Sequence, residues 1–233
     1  MRRLVVLVML VTLVTVINAF GSGLGEYSVG YRMGQLSKFS TKGIWQKSGE
    51  GQMLMGRESS PYTSVQGSGK DKVSVRINPW YFSAEESLWG SLQKFSGEYV
   101  VIEYTQAQYR NPLTQDTDYT ATKVYPVTRQ IPTPREFAVH KPTTLKSDGV
   151  RAGRVVKASY KGNLNKTYEI IIQVGNAGNQ FKHMSVTSHP MFEYLVKVLK
   201  SGKSAKFFYV EHAMQFLQDT NYEIYKVSFP EDL

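Results

Sequence analysis

Few side chains in this chain are arranged as chemistry requires. The four histidines, His140, His183, His189 and His212, are scattered, and with no cysteine in the sequence there is neither a thiolate nucleophile nor a thiolate ligand; no metal site is expected. GSGKD, Gly67 to Asp71, imitates a phosphate loop, but Ser64 stands where the first glycine is needed and Asp71 follows the lysine. Gly21-Ser22-Gly23-Leu24-Gly25-Glu26 puts Glu26 at the third glycine of a dinucleotide fingerprint, and no helical stretch follows. No nucleophile elbow or carboxylate pair stands out, so no catalytic residue and no cofactor are expected. What remains is chemistry suited to binding: lysines, amides and aromatics near turns.

Those groups occur twice. GYRMGQLSKFSTKG, Gly30 to Gly43, returns as GVRAGRVVKASYKG, Gly149 to Gly162, identical at seven of fourteen positions, where unrelated segments would share about one. The echo continues through Lys47 and Lys166, Glu50 and Glu169, and Gly56 and Gly175; at offset 105 Tyr104 matches Tyr209, and at offset 103 QDTDY from Gln115 matches QDTNY from Gln218. The chain is therefore one unit, duplicated. Lys42, Gly43, Gln115, Asp116 and Thr117 in the first copy, with Lys161, Gly162, Gln218, Asp219 and Thr220 in the second, are the candidate ligand-binding residues. They are also turn residues: glycine supplies positive φ, and Asp and Thr side chains bond nearby backbone. Arg32 recurs with Asp116, as Arg151 does with Asp219, which suggests an ion pair from the first strand to the fourth loop.

The elements that must position these residues follow from local pattern. In the first unit Tyr31 to Phe39, Trp45 to Met55 and Val73 to Phe82 read as strands, with RESSPYTSVQGSGK a long surface loop between the second and third. Ala84 to Phe95 reads as a helix with Ser83 and Glu86 as a capping box and Ser96-Gly97 as its stop. Tyr99 to Thr105 and Tyr119 to Tyr125 complete the unit, and the second unit repeats the order with a helix near Met191 to Lys200. Val100, Ile102 and Tyr104, matching Ala205, Phe207 and Tyr209, mark the inward face of the fourth strand, whereas Val101 matches Lys206 and points outward. Three strands, a helix and two strands is the order of the OB-fold. The expected fold is thus mainly β, with tandem duplicated OB-like five-stranded barrels, one helix in each; a pair of SH3-like barrels is the alternative. The Lys-Gly and QDT turns would then border each barrel's binding face.

Flanking segments set the context. Met1-Arg2-Arg3 precedes an apolar run from Leu4, and Asn18-Ala19 offers a cleavage site, so residues 1–19 read as a signal peptide or membrane anchor. Residues 26–127 form the first unit, 128–148 a proline-rich linker, and 149–233 the second unit. Without Arg2 and Arg3, 26 basic residues face 19 acidic ones, with no basic tail. The Gly-Tyr-Arg-x-Gly start, the Lys-x-Ser-x-Lys-Gly turn and Lys47-Ser48-Gly49-Glu50-Gly51 resemble a family of uncharacterised bacterial envelope proteins often labelled 6-phosphogluconate dehydrogenase, a label the failed fingerprint does not support. The resemblance implies an envelope location, periplasmic, inner-membrane anchored through residues 4–20, or secreted. The expected role is a non-enzymatic binding or scaffolding protein contacting an envelope protein, peptide or glycan. An exported nucleic-acid binder, using Phe39, Trp45, Tyr109 and Lys42, and an envelope enzyme are the alternatives.

Overall fold

A computed structural model describes residues 26–43, 47–56, 63–66, 73–76, 79–108, 116–143, 146–161, 167–175, 180–213 and 218–230. The signal or anchor segment, the GSGKD loop, Trp45, Tyr109, Gln115 and Gly162 lie outside the described residues. Among the described residues no helix is long and apolar enough to cross a membrane. The chain is mainly β. Its first unit contains β1 (Glu26–Lys42), β2 (Ser48–Met55), β3 (Thr63–Gln66), β4 (Val73–Arg76), β5 (Pro79–Ala84), a 3-10 turn (Glu86–Leu88), α1 (Trp89–Lys94), β6 (Tyr99–Ala107) and β7 (Tyr119–Pro126). After β8 (Glu136–Ala138) the second unit contains β9 (Ser147–Lys161), β10 (Thr167–Val174), β11 (Phe181–Val186), α2 (His189–Ser201), β12 (Ala205–Glu211) and β13 (Tyr222–Ser228).

Each unit pairs its strands in one circuit. β1 pairs antiparallel with β2 and β6, β2 with β5, β6 with β7, and β5 runs parallel to β7 over Ser83 and Ala84. β9, β10, β11, β13 and β12 repeat the scheme, with the parallel step between Ser185 and Glu223. Long first strands serve both neighbours because they bend at equivalent irregularities, between Leu36 and Lys38 and opposite Ile171 and Ile172. Gly34 and Gly153 sit just before these bends, where a Cβ would run into the carbonyl oxygens of Leu54 and Gln173. That is the close approach the repeated glycines suggested.

The two circuits are not separate. β1 pairs with β9 over Ser28–Arg32 and Lys157–Lys161, which makes one 11-stranded sheet. The proline-rich segment is not a bare spacer either: β8 pairs with β13, and Ile131, Phe137 and Val139 pack on the second unit's core. Leu36, Met53, Phe82, Leu92, Val100 and Ile102 fill the first unit. Val155, Ile170, Ile172, Leu195, Leu199 and Phe207 fill the second. Met33 and Val101 leave the first unit and join the second core. Val101 is therefore buried, not outward-facing, because the second unit covers the face that Lys206 exposes to solvent.

Three further local expectations change. The long loop between the second and third strands contains the β3–β4 hairpin, a sheet of its own, and Val73–Arg76 belongs to that hairpin rather than to the third strand. Ser83 does not cap a helix. It lies in β5 and donates its hydroxyl proton to the Glu50 carboxylate at 2.9 Å; the N-cap positions fall on Glu85 for the 3-10 turn and Leu88 for α1, and neither makes a side-chain cap bond. α2 begins earlier than Met191, with Ser188 accepting from the Met191 N–H as a cap that the sequence reading did not name, and Gly202 at φ 62° ends the helix.

Candidate functional site

Within each unit the lysine turn and the QDT turn meet. Lys42 pairs with Asp116, and Lys161 with Asp219. The expected Arg32–Asp116 and Arg151–Asp219 pairs do not form, because each arginine side chain turns toward aromatic rings instead. The Arg32 guanidinium lies 4.7 Å from the Trp80 ring, 5.3 Å from Tyr104 and 4.9 Å from Tyr119, and Arg151 lies 5.7 Å from Tyr209. Gly43 takes φ 105°, the left-handed geometry its turn needs. Thr117 and Thr220 act as turn residues, each hydroxyl bonding the carbonyl and N–H of the tyrosine two residues on.

Behind these turns lies a repeated polar triad. Ser83 links Glu50 to Thr117, and Ser185 links Glu169 to Thr220, with Ser185 Oγ 2.9 Å from Glu169 Oε2 and 3.3 Å from Thr220 Oγ1. The Asp219 N–H also donates to Glu169 at 3.2 Å. Burial raises the Glu169 pKa, and bonds from Thr167, Asp219 and Ser185 oppose that rise. The triad holds the fourth loop against the second and third strands, so Asp116, Thr117, Asp219 and Thr220 first serve to fix loop position. Gln218 is half-buried at the start of this loop.

The groups least explained by folding lie where the units join. Across the β1–β9 pairing Arg32 stands directly opposite Lys157. Like charges opposed on a sheet repel, and neither side chain forms a salt bridge among the described residues. Burial pushes the Lys157 pKa down to about 7, with Arg32 and Lys161 lowering it further and Glu169 and Asp219 opposing them. Arg32 Nε is buried without an acceptor. His183 faces the same space; burial, Lys157 and Lys161 lower its pKa, so its ring is neutral near pH 7.

A cleft of 210 Å³ opens here, lined by Arg32, Met55, Pro79, Trp80, Ile171, Phe181 and His183. Phe181 and His183 also line an adjoining 420 Å³ cleft that reaches Lys182, Thr220 and Tyr222. The smaller cleft falls below the roughly 300–1,000 Å³ of pockets that enclose a whole small ligand, and the larger falls within it. Among the described residues no cluster of three His, Asp or Glu could hold a metal.

The candidate turns thus contribute at the margin, through Thr220 in the larger cleft and through Lys161 acting on Lys157. Arg32, Trp80, Phe181 and His183, which line the cleft, and Lys157, which stands opposite Arg32, were not singled out as a binding site by sequence. One signal was available: Arg32 and Arg151 recur, as do Lys38 and Lys157. Their opposition depends on a pairing that no local pattern specifies.

Residues 25–131 match the model of a domain of unknown function (DUF8785), a little under half of the chain. No curated protein matches. Among solved structures, the wild-type single-stranded DNA binding protein from Thermus aquaticus is similar at 13% identity and a TM-score of 0.24, covering 89% of this chain and 94% of that one. A deletion mutant of the same protein is similar at 14% identity, with the same TM-score and coverage of 89% and 96%.

Proposed function

We propose that the chain is a non-enzymatic binding protein of the bacterial envelope, built from two OB-like units, which grips an anionic group of a longer partner in the cleft between them. The observation that carries this reading is the Arg32–Lys157 opposition: two basic side chains face each other, and among the described residues neither forms a salt bridge. A carboxylate or sulfate between them would relieve their repulsion and accept from Arg32. The OB-like assignment is supported by the circuit order, in which the first strand pairs with the second and fourth and the third runs parallel to the fifth.

An acidic peptide or an anionic glycan fits the envelope setting that the Arg2-Arg3 start and the apolar run from Leu4 support. A second reading, a single-stranded nucleic acid, draws on Phe181, which lines the cleft with Arg32, since bases stack on such rings. Binding of the full chain to poly-glutamate, a sulfated glycan and an oligothymidylate, followed by tryptophan fluorescence at rising salt, separates them. The proposal expects salt-sensitive binding to at least one of the first two, lost in Lys157→Ala. Binding that survives Lys157→Ala together with Arg32→Gln would place the ligand elsewhere, and binding to the oligonucleotide alone would favour the second reading.

A further inference from the structure

The β1–β9 junction uses only half of what the repeat provides. Over Ser28–Arg32, β1 is paired on both edges, to β6 and to β9. Over Lys157–Lys161, β9 is likewise paired on both edges, to β10 and to β1. Shifted by the repeat, these segments are Ser147–Arg151 and Lys38–Lys42. Ser147–Arg151 pairs only with β12, and Lys38–Lys42 only with β2, so among the described residues each keeps one open edge.

The open edges carry the residues of the closed junction. One face of the junction places Ser28, Gly30 and Arg32 opposite Lys161, Ser159 and Lys157. The same shift gives Ser147, Gly149 and Arg151 on one open edge and Lys42, Ser40 and Lys38 on the other, identical at all six positions. Gly30 is demanded by this contact, since a Cβ there would lie 2.6 Å from Ala158 O and 2.8 Å from Ser159 Cβ. The outer face agrees. Tyr31 packs against the second core and beneath Lys200 of α2, whereas its counterpart Val150 is 51% exposed, a large apolar side chain without a cover.

We propose that a second copy of this chain docks on these edges, with Ser147–Arg151 of one copy pairing antiparallel to Lys38–Lys42 of the next. The register follows from the junction: Ser147 opposite Lys42, Gly149 opposite Ser40, Val150 opposite Phe39, and Arg151 opposite Lys38. The two surfaces differ, so the contact is head-to-tail and propagates into a ring or a filament rather than closing as a twofold dimer. Each contact between copies sets another arginine opposite another lysine, which repeats the cationic pair of the intramolecular cleft. Unpaired strand edges invite backbone pairing, and a partner already matched in residue type and register is the chain itself.

The test exploits the absence of cysteine. Asp148 falls opposite Thr41 in the proposed register, and directly opposed antiparallel residues have Cα atoms about 4.5–5.5 Å apart, within disulfide reach. Full-length Thr41→Cys and Asp148→Cys variants, purified in mild detergent, are mixed and oxidised. The expected result is a disulfide-linked dimer from the mixture, little or none from either variant alone, and a ladder or closed ring from the double variant. No dimer in the mixture, or an equal yield when Gln130→Cys replaces Asp148→Cys, would overturn the proposal. As a second measurement, Val150→Lys should shift sedimentation toward the monomer with the melting temperature unchanged. Sedimentation identical to the unsubstituted chain would count against the docking edge.

Discussion

Replacing Lys157 with methionine isolates the electrostatic cost of the cleft. The unsubstituted lysine titrates at about 7 in the folded chain against an ordinary 10.5, chiefly because burial disfavours the ammonium and secondarily because Arg32 and Lys161 repel it. A lowered lysine pKa means that between pH 7 and 10.5 the unfolded chain holds a proton that the folded chain has lost. Stability must then rise with pH across that window, at about 1.4 kcal/mol per pH unit. The whole penalty, on the order of 5 kcal/mol, is present below pH 7 and is relieved as pH climbs toward 10.5. Between pH 7.5 and 9.5, allowing for incomplete titration at each end, Lys157 should contribute about 2 kcal/mol of added stability. Lys157→Met has no such group. Urea unfolding of both full-length proteins at the two pH values measures the difference: the variant's advantage should shrink by about 2 kcal/mol from pH 7.5 to 9.5. Curves that remain parallel would refute the claim that a half-buried lysine ammonium faces Arg32 at the β1–β9 junction.

The remaining predictions concern the scaffold and its turns. Gly34→Ala and Gly153→Ala each place a methyl against a backbone carbonyl that cannot swing away, and each should lower stability by about 1–3 kcal/mol, read from urea midpoints. The Lys42–Asp116 pair is exposed on both sides, so a double-mutant cycle of Lys42→Ala with Asp116→Ala should give a coupling of at most about 1 kcal/mol; the same cycle on Arg32 with Asp116 should give none.

Much of the architecture was legible in local patterns. Two units, the strand–helix–strand order and the turn roles of Gly43, Thr117 and Thr220 follow from glycines, turn side chains and alternation, which act over a few residues. Ser83 shows where that reasoning fails. Its spacing to Glu86 fits a helix cap, yet Ser83 lies within β5, where β2 brings Glu50 to its hydroxyl, and the helical turn begins only after Glu85. Val101 fails likewise, because comparison with Lys206 describes a unit alone, whereas Val101 is covered by the other unit. The Arg32–Asp116 expectation recognised that both members recur but could not supply distance: Lys42 reaches the loop, and Arg32 is held among Trp80, Tyr104 and Tyr119.

The sequence by itself therefore determined that one β-rich unit is written twice, with its bends, its loop-fixing residues and its inward strand faces, since each depends on neighbours along the chain or on comparison of the copies. Only the tertiary structure decided that β1 continues into β9. Strand edges expose the same backbone groups whatever the side chains, so their choice of partner depends on how two finished units stack. That pairing sets Arg32 against Lys157 and, among the described residues, leaves one edge each of Lys38–Lys42 and Ser147–Arg151 unpaired.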